Sequence, residues 1–194
     1  MTTVNLSDTW EKYKGFKIKE CHTGSVLVFK DTNLEIYGAG KNRSPDIIPS
    51  DVIVDLADNY GKAIECHGIF KELEKYSTRK MIKISWPDMS VPRMHPKFWA
   101  EFAEMIRAHT KPLSLVFICN GGHGRTGTAL CIIGCLLGLI PEDVCPVEYV
   151  RGIYCDQIVE TDSQIKYIKN VTGREVTATK REYYRVGSIP FHGI

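Results

Sequence analysis

The chain has 194 residues, 43% of them hydrophobic and 25% charged, enough apolar material for one or at most two domains with a real core. A dominantly disordered, collagen-like or low-complexity chain is thereby excluded. Its 25 Lys and Arg against 23 Asp and Glu leave a net charge of +2, which excludes a polybasic nucleic-acid or membrane-surface protein and leaves room for one local basic pocket.

Seven cysteines, an odd number with several in apolar runs, imply a reducing, intracellular and cytoplasmic setting. The N-terminal Met-Thr-Thr-Val-Asn-Leu-Ser-Asp has neither the basic nor the apolar region of a signal peptide. The longest strongly apolar run, Ala129 to Ile140, is far shorter than the about 20 residues of a membrane span, so it reads as a buried helix of a soluble protein.

In chain order, the first twenty residues show no clear period. Ser25 to Phe29 and Leu34 to Tyr37 are β-prone runs on either side of Asp31-Thr32-Asn33, a hairpin pattern. Gly38 to Pro45 reads as a loop, Asp51 to Leu56 as a buried strand, Tyr60 to Lys75 as a helix, and Met81 to Ser85 as a strand ending at Trp86-Pro87-Asp88. Apolar residues at 98, 99, 102, 103, 105 and 106 predict a helix between Pro96 and His109, with Pro96 in its first turn. Leu113 to Ile118 is a continuous apolar strand suited to the centre of a sheet. After a glycine-rich turn a helix is expected over Ala129 to Leu139, closed by Gly138 and Pro141. Two more are expected from Glu142 to Tyr154 and from Glu160 to Asn170, the second ended by Gly173. Strands alternating with helices predict one α/β domain over residues 1–194, a central and largely parallel sheet flanked by helices, with residues 172–194 as a packed tail.

The chemistry concentrates in residues 119–127, between the central strand and the apolar helix. Cys119 is followed by Asn120, Gly121, Gly122, His123 and Gly124, then by Arg125, Thr126 and Gly127. A glycine-rich turn of this length can curl its backbone N–H groups into one concavity, to which the following helix adds the positive end of its dipole. The result is a cradle for a phosphate-sized dianion, formed by residues 120 to 124. Cys119 at its floor would be held as thiolate by the same field. Arg125 offers a planar fork for two phosphoryl oxygens, and Thr126 is placed to donate its hydroxyl to the sulfur.

This segment resembles the signature loop of the cysteine-based protein tyrosine and dual-specificity phosphatases, Cys-x5-Arg-Ser/Thr-Gly, with Ile118 where that family commonly has histidine. Trp86-Pro87-Asp88, upstream of Cys119, is similar to the family's mobile loop that carries the general acid. Val159 to Gln164 is similar to its glutamine segment, with Gln164 at the second glutamine and Glu160 where the first would stand. The resemblance implies a tyrosine-phosphatase-like fold and phosphomonoester hydrolysis through a phosphocysteine intermediate, without metal or other cofactor. In that scheme Cys119 attacks phosphorus, Asp88 is general acid and then base, Gln164 frames the attacking water, and Trp86 belongs with the substrate-binding residues. The implied partner is a phosphorylated protein carrying phosphotyrosine and also phosphoserine or phosphothreonine.

Other readings stand beside these. Phosphoinositide, inositol phosphate and RNA 5'-phosphate phosphatases share the loop, and a phosphate-binding pseudoenzyme is the alternative from another class. His123 is either a neutral loop residue or a cation for acidic substrates. Cys131 and Cys135 lie four apart on an apolar helix, where core packing outweighs a metal pair because no histidine or second cysteine pair accompanies them. Gly38-Ala39-Gly40-Lys41 does not meet the nucleotide-loop pattern. Lys41 to Asp46 resembles a loop of classical tyrosine phosphatases in which a tyrosine walls the pocket, but Ser44 stands in its place, so no aromatic wall is expected there.

Overall fold

The computed structural model describes residues 24–41, 50–58 and 79–179. The N-terminal twenty residues, the helix expected from Tyr60, most of the Lys41 to Asp46 loop and the end of the tail lie outside these described residues.

Among the described residues five strands form one sheet: β1 (Val26–Asp31), β2 (Leu34–Gly40), β3 (Val52–Asp58), β4 (Lys80–Ser85) and β5 (Leu113–Cys119), in the order β1-β2-β5-β3-β4. The β1–β2 pair is the expected antiparallel hairpin, turning at Thr32-Asn33, and the other three pairings are parallel. Four helices follow among the described residues: α1 (Lys97–Ala108), α2 (Gly124–Leu136), α3 (Pro146–Ile153) and α4 (Asp162–Thr172). The fold is therefore the expected α/β arrangement, with β5 at its centre. Leu115 to Ile118 are at most 2% exposed, as a strand covered on both faces requires.

α2 lies across β2, β3 and β5, and α1, α3 and α4 pack around it. Every residue from Gly124 to Gly134 is buried, so this helix is an inner layer and carries no amphipathic stripe. It begins at Gly124, five residues before the sequence pattern predicts. The intervening Gly-Arg-Thr-Gly-Thr is poor in helix formers, and packing overrides that propensity. Burial pushes the Cys131 thiol up, and that of Cys135 up to about 11, so both behave as core side chains.

Other boundaries shift for local reasons. Gly38 to Gly40 are part of β2, not a loop, because the strand must run on beside β5 until Gly40 pairs with Cys119. α3 starts at Pro146, a residue suited to a first turn, and not at Glu142. α4 starts at Asp162 behind a capping box: Thr161 Oγ1 accepts from Gln164 N, and the Gln164 side chain accepts from Thr161 N. Gly173 ends it at φ 69°, as expected. Beyond it, Val176 and Ala178 pack against the core, and Arg151 Nη2 donates to Thr179 O at 3.0 Å.

Trp86, Trp99 and Tyr167 tie the end of β4 to α1 and α4. The Trp86 ring meets both others edge-on at 6.2 Å, and Trp99 Nε1 donates to Tyr167 Oη at 2.9 Å in the interior. Tyr167→Phe should lower stability by about 1–3 kcal/mol, because it strands the buried Trp99 N–H without an acceptor. Urea unfolding of the variant measures this. An unchanged midpoint would mean that the bond contributes nothing to the fold.

Candidate active site

Parallel strands bring their C-terminal ends to one edge, where α/β sheets bind ligands. Gly40 ends β2 opposite Cys119, Asp55 of β3 stands opposite Ile118, and Lys41 N continues the ladder to Cys119 O at 2.8 Å. Lys41 Nζ also pairs with Asp55 Oδ2, bracing β2 and β3 beside the end of β5.

The chain leaves β5 at Cys119 and enters α2 through Asn120-Gly121-Gly122-His123. Gly122 adopts φ 76°, a conformation that strains any other residue, and in it Gly122 N donates to Cys119 Sγ at 3.2 Å. Two contacts brace the turn from behind. Tyr154 Oη donates to Gly122 O at 2.8 Å, and Gly40 backs so closely that a Cβ there would lie 2.8 Å from Gly121 C and O. At the start of α2, His123 makes no side-chain cap and no acidic residue occupies the first turn. The positive end of the helix dipole there favours an anion.

Arg125 sits in this first turn with its side chain 3% exposed. Nη1 donates to Trp86 O at 3.0 Å, Nη2 meets Asp88 Oδ1 at 3.0 Å, and the buried Nε has no partner among the described residues. The turn that carries Asp88 is thereby drawn to the turn after Cys119. That turn also closes on itself, Trp86 Nε1 donating to Ser90 O at 2.7 Å and Ser90 Oγ to Pro87 O at 2.8 Å. A pocket of about 130 Å³ results, lined by Asp88, Met89, Cys119, Asn120, Gly121, His123, Gly124, Arg125 and Glu160.

Most of the residues picked from the sequence therefore meet in one place, while the side chains of three others make contacts away from the pocket. The Trp86 ring is fully buried in the aromatic cluster, and only its carbonyl reaches the site, through Arg125. Thr126 Oγ1 lies 3.5 Å from Ala39 O as its acceptor, while the sulfur accepts from Gly122 N. Gln164 is fully buried: its Oε1 accepts from Glu160 N and Thr161 N, and its Nε2 donates to Ser90 O at 3.4 Å. The carboxamide caps α4 and bonds the turn that carries Asp88, and Glu160, not Gln164, lines the pocket. Sequence reasoning missed Tyr154, Gly40 and Met89. Only Met89, next to the acid, carried a signal that could have found it.

The family model for protein-tyrosine phosphatase matches residues 65–172. Two uncharacterized proteins of Methanocaldococcus jannaschii are similar over shorter stretches, at 41% identity over 66 residues and 48% over 54. These stretches cover 34% and 28% of this chain, and only 39% and 34% of the two relatives' own lengths. Among solved structures, Tk-PTP in its active form covers 77% of this chain and 97% of its own, at 22% identity and a TM-score of 0.46. The Yvh1 phosphatase domain from Chaetomium thermophilum covers 75% and 93%, at 16% identity and 0.45. PTPMT1 in complex with PI(5)P covers 71% and 90%, at 13% and 0.46. The family model spans more than half of the chain, with Cys119, Arg125 and Asp88 inside its bounds, and the chain therefore belongs to the protein-tyrosine phosphatase family.

Proposed function

We propose that this protein is a cysteine-dependent phosphomonoesterase that acts, as one domain in the cytoplasm, on phosphotyrosine and more slowly on phosphoserine and phosphothreonine of proteins. Family membership supports the phosphatase chemistry. The observation that carries it is the buried Arg125 Nε without a partner, at a pocket it shares with Cys119 and Asp88. A desolvated donor of this kind needs an acceptor, and a phosphoryl oxygen supplies one.

In the first half-reaction the Cys119 sulfur attacks phosphorus and the ester P–O bond breaks. Negative charge on the equatorial oxygens meets Arg125 and the amides of residues 120 to 125. Asp88, 69% exposed and on the open side of the pocket, gives a proton to the leaving oxygen. Water then attacks the phosphocysteine and releases phosphate with the thiolate. The preference for a broad set of phosphoresidues follows from the shape of the pocket: it is only about 130 Å³, and among the described residues no Phe, Tyr or Trp lines it. Losing one ring stack removes roughly 0.5–1.5 kcal/mol of preference for an aromatic substrate.

Hydrolysis of matched peptides that differ only in the phosphorylated residue, with inositol phosphates as the second arm, tests the substrate. Turnover of inositol phosphates with all three peptides inert would refute the protein-phosphatase reading.

Three variants test the roles. Cys119→Ser should lose more than about 100-fold in kcat yet still bind phosphate, because a hydroxyl in the same cradle stays un-ionised. Retained turnover would sink the covalent mechanism. Arg125→Lys should fail as well, since a point charge cannot reproduce the two-pronged grip; near-normal kcat/KM in that variant would show that the buried fork is not what holds the phosphoryl group. Asp88→Asn should cost about 10²–10⁴-fold on alkyl phosphates and much less on p-nitrophenyl phosphate, whose leaving group needs little help. A loss independent of the leaving group would give Asp88 a structural role.

A further inference from the structure

We infer that Glu160 is the base of the second half-reaction, taking the proton from the water that hydrolyses the phosphocysteine, an assignment that rests on the phosphatase reading above. The pocket holds two carboxylates, Asp88 and Glu160, and they arrive on different elements. Asp88 comes on the turn after β4 and binds Arg125 through Oδ1. Glu160 comes from the segment between α3 and α4 and reaches the cradle at the first residue of α2. The contact is close: a Cβ on Gly124 would stand 2.0 Å from Glu160 Oε2 and 3.0 Å from its Cδ. The carboxylate therefore lies against the positive end of the signature helix, where a negative charge is tolerated beside a bound phosphoryl group.

The backbone is built to hold it there. Val159, fully buried and β-branched, sits at φ 58°, in the left-handed region that such a residue rarely adopts. On the other side, Glu160 N donates to Gln164 Oε1 at 2.7 Å. Strain of this type persists where the surroundings enforce it and gathers at functional positions. Gln164 does not line the pocket, and its carboxamide, which accepts from Glu160 N and Thr161 N and donates to Ser90 O, anchors the segment that carries Glu160. A carboxylate at 160 does what an amide there could not, because it both orients the water and accepts its proton.

In the step, the water oxygen bonds to phosphorus and the P–S bond breaks, its electron pair returning to Cys119 as thiolate. The water proton passes to the Glu160 carboxylate and hydrogen phosphate leaves. Glu160 then releases its proton to solvent, and Asp88 takes one up from solvent, which closes the cycle. Asp88 is left as donor to the leaving group in the first half-reaction, so each carboxylate serves one step.

Stopped-flow hydrolysis of p-nitrophenyl phosphate by the full chain separates the two half-reactions. Glu160→Gln, which keeps the hydrogen bonding but not the proton acceptance, should leave the burst of p-nitrophenolate within about twofold of wild type. Its steady-state kcat should fall about 100-fold, the scale of a lost general base, and acid quench should trap the phosphocysteine. An intact burst also shows that the variant has folded and formed its cradle. Wild-type kcat in Glu160→Gln would overturn the assignment, as would equal losses in burst and steady state. Accumulation of phosphocysteine in Asp88→Asn but not in Glu160→Gln would overturn it too, giving the base to Asp88. A wild-type protein with neither burst nor turnover would remove the phosphatase reading itself, and this inference with it.

Discussion

A guanidinium almost wholly withdrawn from water is costly unless acceptors replace the water, and Arg125 has replacements for only part of its fork. Its two terminal nitrogens hold Trp86 O and Asp88, and its Nε is left over. The rest of the site can be understood as the means of bringing an anion to that group. β5 delivers the sulfur, the glycine turn and the first turn of α2 deliver amides, and the turn after β4 delivers the Asp88 carboxylate. Because Arg125 contacts the acid turn as well as the pocket, an anion that engages the fork is coupled directly to the position of Asp88.

The supports behind this arrangement are of two kinds. Tight packing supplies one: Gly40 against Gly121, Tyr154 Oη on Gly122 O, and the Trp86–Trp99–Tyr167 cluster under the acid turn. Backbone strain is the other, at Met89 with φ 55° beside Asp88 and at Val159 with φ 58° beside Glu160. Each strained residue directly adjoins a carboxylate of the pocket. Gln164 links the two regions, since it caps α4, holds Glu160 N and donates to Ser90 of the acid turn. The turn that carries Asp88 is thus connected to the segment that carries the second carboxylate.

Much of this was legible in the sequence where a local rule acts alone. The continuous apolar run of Leu113 to Ile118 marked the central strand, the spacing of Cys119 and Arg125 marked the turn that lines the pocket, and Gly173 marked the end of α4. Legibility failed where tertiary packing decides. Gly38 to Gly40 look like a loop by composition, yet they form the strand that braces the cradle, because only glycine lets the neighbouring chain approach. Residues 124 to 128 look too poor in helix formers to begin a helix, and burial on all sides makes them one. Trp86, Thr126 and Gln164 carried the right identities, but the contacts that occupy their side chains come from residues distant in sequence, at Trp99, Ala39 and Ser90. No spacing rule reports such contacts.

The central claim is that Arg125 and the turn after Cys119 form one oxyanion site around the sulfur. A crystal structure of the protein soaked with orthovanadate tests it most directly. The account predicts vanadium bonded to Cys119 Sγ, equatorial oxygens within hydrogen-bond reach of Arg125 Nε and of the amides of residues 120 to 125, and an apical oxygen facing Asp88. Vanadate bound away from Cys119, or bound there with Arg125 Nε still lacking an oxygen partner, would contradict it.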